Sequence, residues 1–226
     1  TSLLAGCSSS GENSNGGSNG GGTATAAEVL ANKNARAAIS MIIDNQAYCD
    51  VILNNGSIPT STFTPRGLAF DNGKDYTDLT EGMGYEYNEE QAKELWEKAK
   101  EEVGFDTVEM ELLTYDHDTG KRTGEYIQSE LSDLEGLTVK VSNLPFKQKL
   151  ERETNGEFDL AFSGWGADYP DPLTYLSTMQ TGNQFSNQVG YNSEEYNKLI
   201  EEGVKIENAL NYFRHENYHQ ASRAKN

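Results

Sequence analysis

The 226-residue sequence has few of the residues on which disulfide-stabilised, metal-binding and membrane-spanning proteins depend. It contains two cysteines, three histidines and five prolines, so at most one disulfide can form. No stretch reaches the ~18 apolar residues that a membrane-spanning helix needs. Lysine and arginine number 18 against 36 acidic residues, which gives a formal net charge of −18. A chain this acidic repels the phosphates of nucleic acid, so nucleic acid is excluded as a partner.

The few histidines limit the possible enzymatic functions. None of them neighbours a nucleophile in a recognisable motif, so no catalytic Ser/His/Asp or Cys/His residue is assigned. His215, Glu216 and His219 fit the H-E-x-x-H pattern of a zinc metallopeptidase. Such a site needs a third ligand, and no histidine follows to supply it. A zinc peptidase is therefore the alternative function, and a non-enzymatic chain without metal or cofactor is the main expectation.

Residues 159–172, Asp-Leu-Ala-Phe-Ser-Gly-Trp-Gly-Ala-Asp-Tyr-Pro-Asp-Pro, are the most informative segment. A short apolar run predicts a buried strand, and Gly164 and Gly166 then remove side chains where another backbone could approach. Trp165 offers a flat apolar face, and Asp168 offers a negative charge three residues later. A peptide with a free amino terminus and an apolar side chain matches both groups, so the segment predicts a peptide-binding site at a strand tip.

The periodicity of the apolar residues predicts strands that alternate with helices. Apolar residues alternate from Thr107 and again from Leu137, a third strand is predicted over residues 158–162, and helical patterns lie between them. Connections of this length predict βαβ units and an α/β fold, with a mainly parallel or mixed sheet flanked by helices. Tyr115 ends the first of these strands on the same sheet edge as Trp165, so it is also a candidate ligand contact.

Other local signals predict core and loop positions. Asn88 is the expected N-cap of a helix that Gly104 ends, and Trp96 lies on the apolar side of that helix, which predicts a core residue. Cys49 lies in a helical pattern and is expected to be a buried free thiol. Residues 54–87 show little periodicity and predict a long surface loop.

The start of the sequence predicts a lipid anchor. Leu4-Ala5-Gly6-Cys7 resembles the lipobox of bacterial lipoproteins, in which the cysteine receives the lipid. Residues 1–7 are therefore interpreted as the end of a lipoprotein signal. Residues 8–33, which begin with a run of Ser, Gly and Asn, are predicted to be a flexible tether. Residues 34–226 are predicted to form the α/β lobe.

Several segments together resemble a known family. Residues 164–172, preceded by Gly-Glu-Phe-Asp at 156–159, resemble the strand-to-loop segment of the oligopeptide-binding proteins that serve ABC importers. Residues 34–39 look like the helix that opens the ligand-bearing lobe of that family, and residues 73–79 resemble a loop of its Gram-positive members. The similarity runs from about residue 33 to residue 206. It implies a periplasmic-binding-protein-like fold of two lobes, of which this chain carries the second lobe only.

The resemblance also implies roles for individual residues. In that family the aspartate of the Trp-x-x-Asp segment holds the peptide ammonium, which assigns this role to Asp168. The backbone from Ser163 to Gly166 is expected to pair with the peptide as an added strand, beside a pocket flanked by Trp165. The implied partners are oligopeptides, the permease subunits of an ABC importer and the outer face of a Gram-positive cytoplasmic membrane, reached through a lipid on Cys7. A shortened lobe with an interaction role outside transport is the further alternative.

Overall fold

Strands and helices alternate around one main sheet. The structure, a computed structural model, describes residues 2–5 and 22–205. The strands of these residues are β1 (Ser2–Ala5), β2 (Gly22–Ala24), β3 (Phe70–Asp71), β4 (Lys74–Asp75), β5 (Phe105–Tyr115), β6 (Leu137–Leu144) and β7 (Leu160–Ser163). The α-helices are α1 (Ala26–Ala31), α2 (Lys33–Ile42), α3 (Asn45–Ala47), α4 (Tyr76–Leu79), α5 (Glu89–Val103), α6 (Asp118–Leu131), α7 (Phe146–Thr154), α8 (Leu173–Leu176), α9 (Gln184–Gln188) and α10 (residues 194–205). The order β5, α6, β6, α7, β7 confirms the predicted α/β class.

β5 is the central strand of the sheet. β6 runs parallel to it, from the pair Val108–Leu137 to the pair Tyr115–Leu144. The other side of β5 is shared by β2 near its start and by β7 near its end, both of them parallel to it. β1 pairs antiparallel with the outer edge of β7. The sheet is therefore mixed but mainly parallel, and the carboxyl ends of β5, β6 and β7 lie along one edge, where ligands of such sheets bind.

The larger core lies on the face of the sheet covered by α1, α2, α5 and α6. The side chain of Asn88 accepts the N–H of Gln91 and caps α5, and Gly104 ends the helix in a left-handed conformation with φ of 83°. Trp96 on this helix is 1% exposed. Its indole N–H donates to the carbonyl of Glu135 over 2.9 Å, which satisfies its polar atom. The predicted cap, helix end and core residue are confirmed.

The structure corrects the predicted start of the folded lobe. Residues 22–33, which the composition assigned to the tether, form β2, α1 and the beginning of α2. Thr25 and Glu28 form a reciprocal capping box at the start of α1, and Val29 and Leu30 on this helix are fully buried in the core. A capping box and two buried side chains stabilise this six-residue helix. The glycine-rich sequence before it made the helix difficult to predict.

The long predicted loop is mostly irregular, with a short β3–β4 hairpin and α4 inside it. The buried carboxylate of Asp75 accepts the backbone N–H of Gly67 over 2.7 Å and that of Thr77 over 2.9 Å. Hydrogen bonds from the Thr77 hydroxyl and from these two N–H groups hold the pKa of Asp75 below its usual range. The hydrogen bonds of Asp75 thus stabilise the conformation of the loop, although the loop has little secondary structure.

α7 lies on the opposite face of the sheet, over β5 and the end of β7. The apolar cluster on this face is small and consists of buried Leu113, Phe158 and Ala161. Because Leu112 belongs to the larger core and Leu113 to the smaller cluster, β5 alternates between the two faces. In the described part of the chain, no helix combines the length and the apolar character needed to cross a membrane.

Candidate functional site

The tip of β7 forms one wall of a small cavity. Ser163 is the last residue of the strand, and it lines a cavity of about 150 Å³ together with Gly164 and Trp165. These three predicted site residues, which are consecutive in the sequence, line the cavity, whereas Gly166 and Asp168 do not. The apolar part of the opposite wall comes from the long loop, α8 and α9, namely from Phe63, Pro65, Tyr175 and Phe185.

Trp165 is held by two contacts and still presents an apolar surface. Its indole N–H donates to the carbonyl oxygen of Thr174 over 2.9 Å. Its ring meets the ring of Phe185 nearly edge-on, with the centroids 5.1 Å apart. The side chain is 43% exposed, so part of the ring remains open to a ligand. Because the N–H is already bonded, the open part offers apolar contact and not a hydrogen bond.

Asp168 is exposed, and its backbone is tied to the same threonine. The N–H of Asp168 donates to the hydroxyl oxygen of Thr174 over 3.0 Å. Within residues 22–205 its carboxylate has no hydrogen bond and no ion pair. Thr174, which is buried at the start of α8, thus fixes both Trp165 and Asp168. Sequence reasoning missed it, because the path of the loop that brings it there is not a local signal.

The two glycines of the site are not required by their backbone conformation. Neither Gly164 nor Gly166 has a positive φ. A Cβ built on Gly166 would meet no atom within 4 Å, so the fold leaves room for a larger residue there. What glycine provides at this position is an uncovered backbone, which agrees with the predicted approach of another chain.

Tyr115 lies at the same sheet edge, as predicted, but it does not line the cavity beside Trp165. Its ring stacks on His117, with centroids 5.3 Å apart, and on Phe146, with centroids 6.3 Å apart. The ammonium of Lys149 lies 4.4 Å from the centre of the ring. Burial, with a smaller contribution from the charge of Glu153, raises the pKa of the Tyr115 hydroxyl. A contact between Tyr115 and ligand stays a prediction.

A larger cavity, of about 240 Å³, lies between the long loop and the π-helix Tyr48–Leu53. Its lining combines apolar residues, such as Ile58 and Phe162, with polar ones, such as Asn45, and no charged residue borders it. Cys49 in its wall is a free, buried thiol whose pKa is raised by burial, which confirms the predicted buried cysteine. The smaller cavity is the candidate site because the predicted site residues Ser163, Gly164 and Trp165 line it.

Two predicted sites fall outside the described residues. These are the zinc pattern of His215, Glu216 and His219, and the lipid attachment point Cys7. In the ranges that the structure covers, no three His, Cys, Asp or Glu side chains come together in a way that could hold a metal ion.

Comparison with known proteins shows which family the chain resembles. Residues 12–187 match the family model of the bacterial extracellular solute-binding proteins, family 5 Middle. The dipeptide-binding protein of Lactococcus lactis is 30% identical over 202 residues, which cover 88% of this chain and 36% of that protein. DppE of Bacillus subtilis, also a dipeptide-binding protein, is 31% identical, with coverages of 77% and 32%. The chain spans about a third of the length of these curated relatives.

Two solved structures extend the comparison. OppA of Listeria monocytogenes, solved with bound peptide, superposes with a TM-score of 0.75 at 33% identity, over 88% of this chain and 36% of that one. The peptide-binding protein of a peptide ABC transporter superposes with a TM-score of 0.71 at 38% identity. That match covers 76% of this chain and 77% of the other, so the two chains are similar in length.

Proposed function

Because the chain belongs to the bacterial extracellular solute-binding proteins of family 5, we propose that it binds oligopeptides at the tip of β7 by their free amino terminus. The membership confirms the resemblance seen in residues 164–172. One observation carries the proposal: the carboxylate of Asp168 is exposed and, within residues 22–205, has no partner. The buried Thr174 fixes it beside Trp165, because Thr174 accepts hydrogen bonds from the backbone N–H of Asp168 and from the indole N–H of Trp165.

In this proposal each part of the site recognises one part of the peptide. The ammonium of the peptide binds the carboxylate of Asp168 by a charge-assisted hydrogen bond. The first apolar side chain enters the cavity and packs against Trp165 and Phe185. The peptide backbone adds as a strand along residues 163–166, where the uncovered backbone of Gly166 leaves room for it.

Acetylation of the peptide amino group is expected to weaken binding about fivefold. The loss corresponds to ~1 kcal/mol, the upper end for an exposed ion pair, because Asp168 lies in contact with solvent. NMR titrations of the chain with a matched pair of free and acetylated peptides measure the two dissociation constants.

Two variants show which carboxylate is responsible. Asp168→Asn is expected to bind the free and acetylated peptides equally. Asp171→Asn is the matched control, since the carboxylate of Asp171 accepts the N–H of Leu173 over 2.7 Å and the amide oxygen of asparagine can accept the same bond. It is expected to keep the preference. Equal affinities of the wild-type chain for both peptides would remove Asp168 from the role.

The proposal extends to transport. The relatives are binding proteins, several of them named as components of ABC transporters, and the chain is accordingly proposed to be a non-enzymatic substrate-binding component of a peptide importer. Its partners would then be the permease subunits of that importer. Co-purification of the chain with those subunits from membranes that contain both tests this part.

Cys7 is proposed to carry a lipid that holds the chain at the outer face of the cytoplasmic membrane of a Gram-positive bacterium. The support is the Leu-Ala-Gly-Cys pattern at residues 4–7. Expressed behind a complete lipoprotein signal peptide, the chain is expected to incorporate labelled palmitate and to sediment with membranes. Cys7→Ser is expected to release it, and Cys49→Ser is the control that keeps the anchor. Failure of the wild-type chain to take up label would contradict the anchor.

A further inference from the structure

The polarity of α7 is reversed relative to an ordinary surface helix. Its buried positions are Lys149 and Glu153, one helical turn apart. Its apolar side chains Phe146 and Leu150 are instead 65% and 43% exposed. A helix on a sheet normally turns its apolar side inward, and burying charge is costly unless it is paired. The two inward charges therefore call for a specific local explanation.

The charges form a closed network with the end of β7. The ammonium of Lys149 donates to the carboxylate of Glu153 and, over 2.7 Å, to the hydroxyl oxygen of Ser163. The Ser163 hydroxyl donates to the same oxygen of Glu153. The ring of Tyr115 covers the ammonium. Each buried polar group is thus satisfied by the others, and burial lowers the pKa of Lys149.

α7 is attached to the central strand independently of this network. Arg152 donates two hydrogen bonds, of 2.9 and 2.7 Å, to the carboxylate of Glu111 on β5. This bidentate pair is strong and geometrically specific. α7 is therefore a support fixed on β5, from which Lys149 and Glu153 reach across to β7.

The end of β7 needs such a support. Only Leu160 and Ala161 pair in register with β5. Phe162 and Ser163 extend beyond that pairing, and their strand partners are residues of β1. Beyond the pairing with β5, side-chain contacts hold the tip: Phe162 packs against Tyr48 and the larger core, and Ser163 contacts α7.

We propose that Lys149 and Glu153 are positioning residues, which fix the tip of β7 through the Ser163 hydroxyl and so set the place of Trp165 and the backbone of residues 164–166 in the site. Thr174 then holds the loop from one side and α7 holds it from the other. The consequence for ligand affinity rests on the proposed function, whereas the position of the tip does not depend on it.

Fluorine NMR of the chain labelled with 5-fluorotryptophan separates a local from a global effect. The sequence has two tryptophans, and Trp96, in the core, reports whether the fold is intact. In Ser163→Ala the resonance of Trp165 is expected to shift or broaden, while that of Trp96 stays in place. Peptide affinity is expected to fall about fivefold, the factor that corresponds to the ~1 kcal/mol of an ordinary hydrogen bond.

Two further variants complete the test. Lys149→Met/Glu153→Leu removes the whole pair without leaving an unpaired charge, and it is expected to shift the Trp165 resonance although neither residue neighbours it in sequence. Lys147→Met, on the exposed side of α7, is the control expected to change neither resonance. An unchanged Trp165 resonance in both folded variants would overturn the proposal. A shifted Trp165 resonance with an unchanged peptide affinity would support the positioning role and contradict the proposed function, since the peptide would then bind away from the tip.

Discussion

Replacement of Lys149 with methionine is expected to lower the free energy of unfolding by ~3–5 kcal/mol. The substitution keeps the volume of the side chain but leaves the carboxylate of Glu153 buried without its counter-charge. It also removes the donor to Ser163. Urea unfolding followed by circular dichroism measures the change.

The chain contains a matched control for this prediction. Glu89 and Lys93 form an ion pair with the same four-residue spacing, but both side chains are about half exposed. Lys93→Met is expected to cost no more than ~0.5 kcal/mol. Lys149→Met/Glu153→Leu is expected to recover most of the loss, because it leaves no unpaired charge. A loss below ~1 kcal/mol in Lys149→Met would show that water reaches the pair.

The 226-residue chain by itself is expected to bind peptides with a dissociation constant near or above ~1 mM. This dissociation constant corresponds to a favourable binding free energy of about 4 kcal/mol. The cavity of about 150 Å³ is small beside the ~300–1,000 Å³ of typical ligand sites. Asp168 and Trp165 are both exposed, so the ion pair contributes at most ~1 kcal/mol. Association itself costs several kcal/mol in lost translational and rotational freedom. The contacts that one wall makes with the peptide contribute little more free energy than this cost.

Titration of the labelled chain with a small peptide library, followed by the fluorine resonance of Trp165, measures this affinity. Asp168→Asn identifies the signal that belongs to the site. Micromolar binding by the monomeric chain would contradict the expectation and show that a single lobe is sufficient. Binding that tightens with protein concentration would instead indicate that a second chain supplies the missing wall.

The parts of the fold with local signals were predictable from sequence. The cap at Asn88, the end of α5 at Gly104 and the core position of Trp96 each depend on a few neighbouring residues, and the structure confirms all three. The alternation of apolar residues also gave the order of strands and helices. The third strand, predicted over residues 158–162, is displaced to Leu160–Ser163, because an apolar run does not mark where pairing begins.

The parts that depend on distant partners were not predictable. Lys149 and Glu153 have the composition of a solvated helix face, and their burial follows only from the positions of Tyr115 and Ser163. Thr174 acquires its role from the path of the preceding loop. The sequence located the strand tip because its glycines, tryptophan and aspartate are close together in the chain. It contained no local signal for the contacts of Lys149 and Thr174 that hold the tip.

The pairing of β1 with β7 has a consequence for the proposed lipid anchor. In the proposed lipoprotein, cleavage before Cys7 would separate residues 1–6 from the chain, and with them β1, which pairs with all four residues of β7. The outer N–H and C=O groups of β7 would then form an open edge, which an extended segment can join. The cleaved and uncleaved forms would therefore differ at the strand that carries the proposed site: the sheet edge of β7 would be open in the cleaved form and paired with β1 in the uncleaved form.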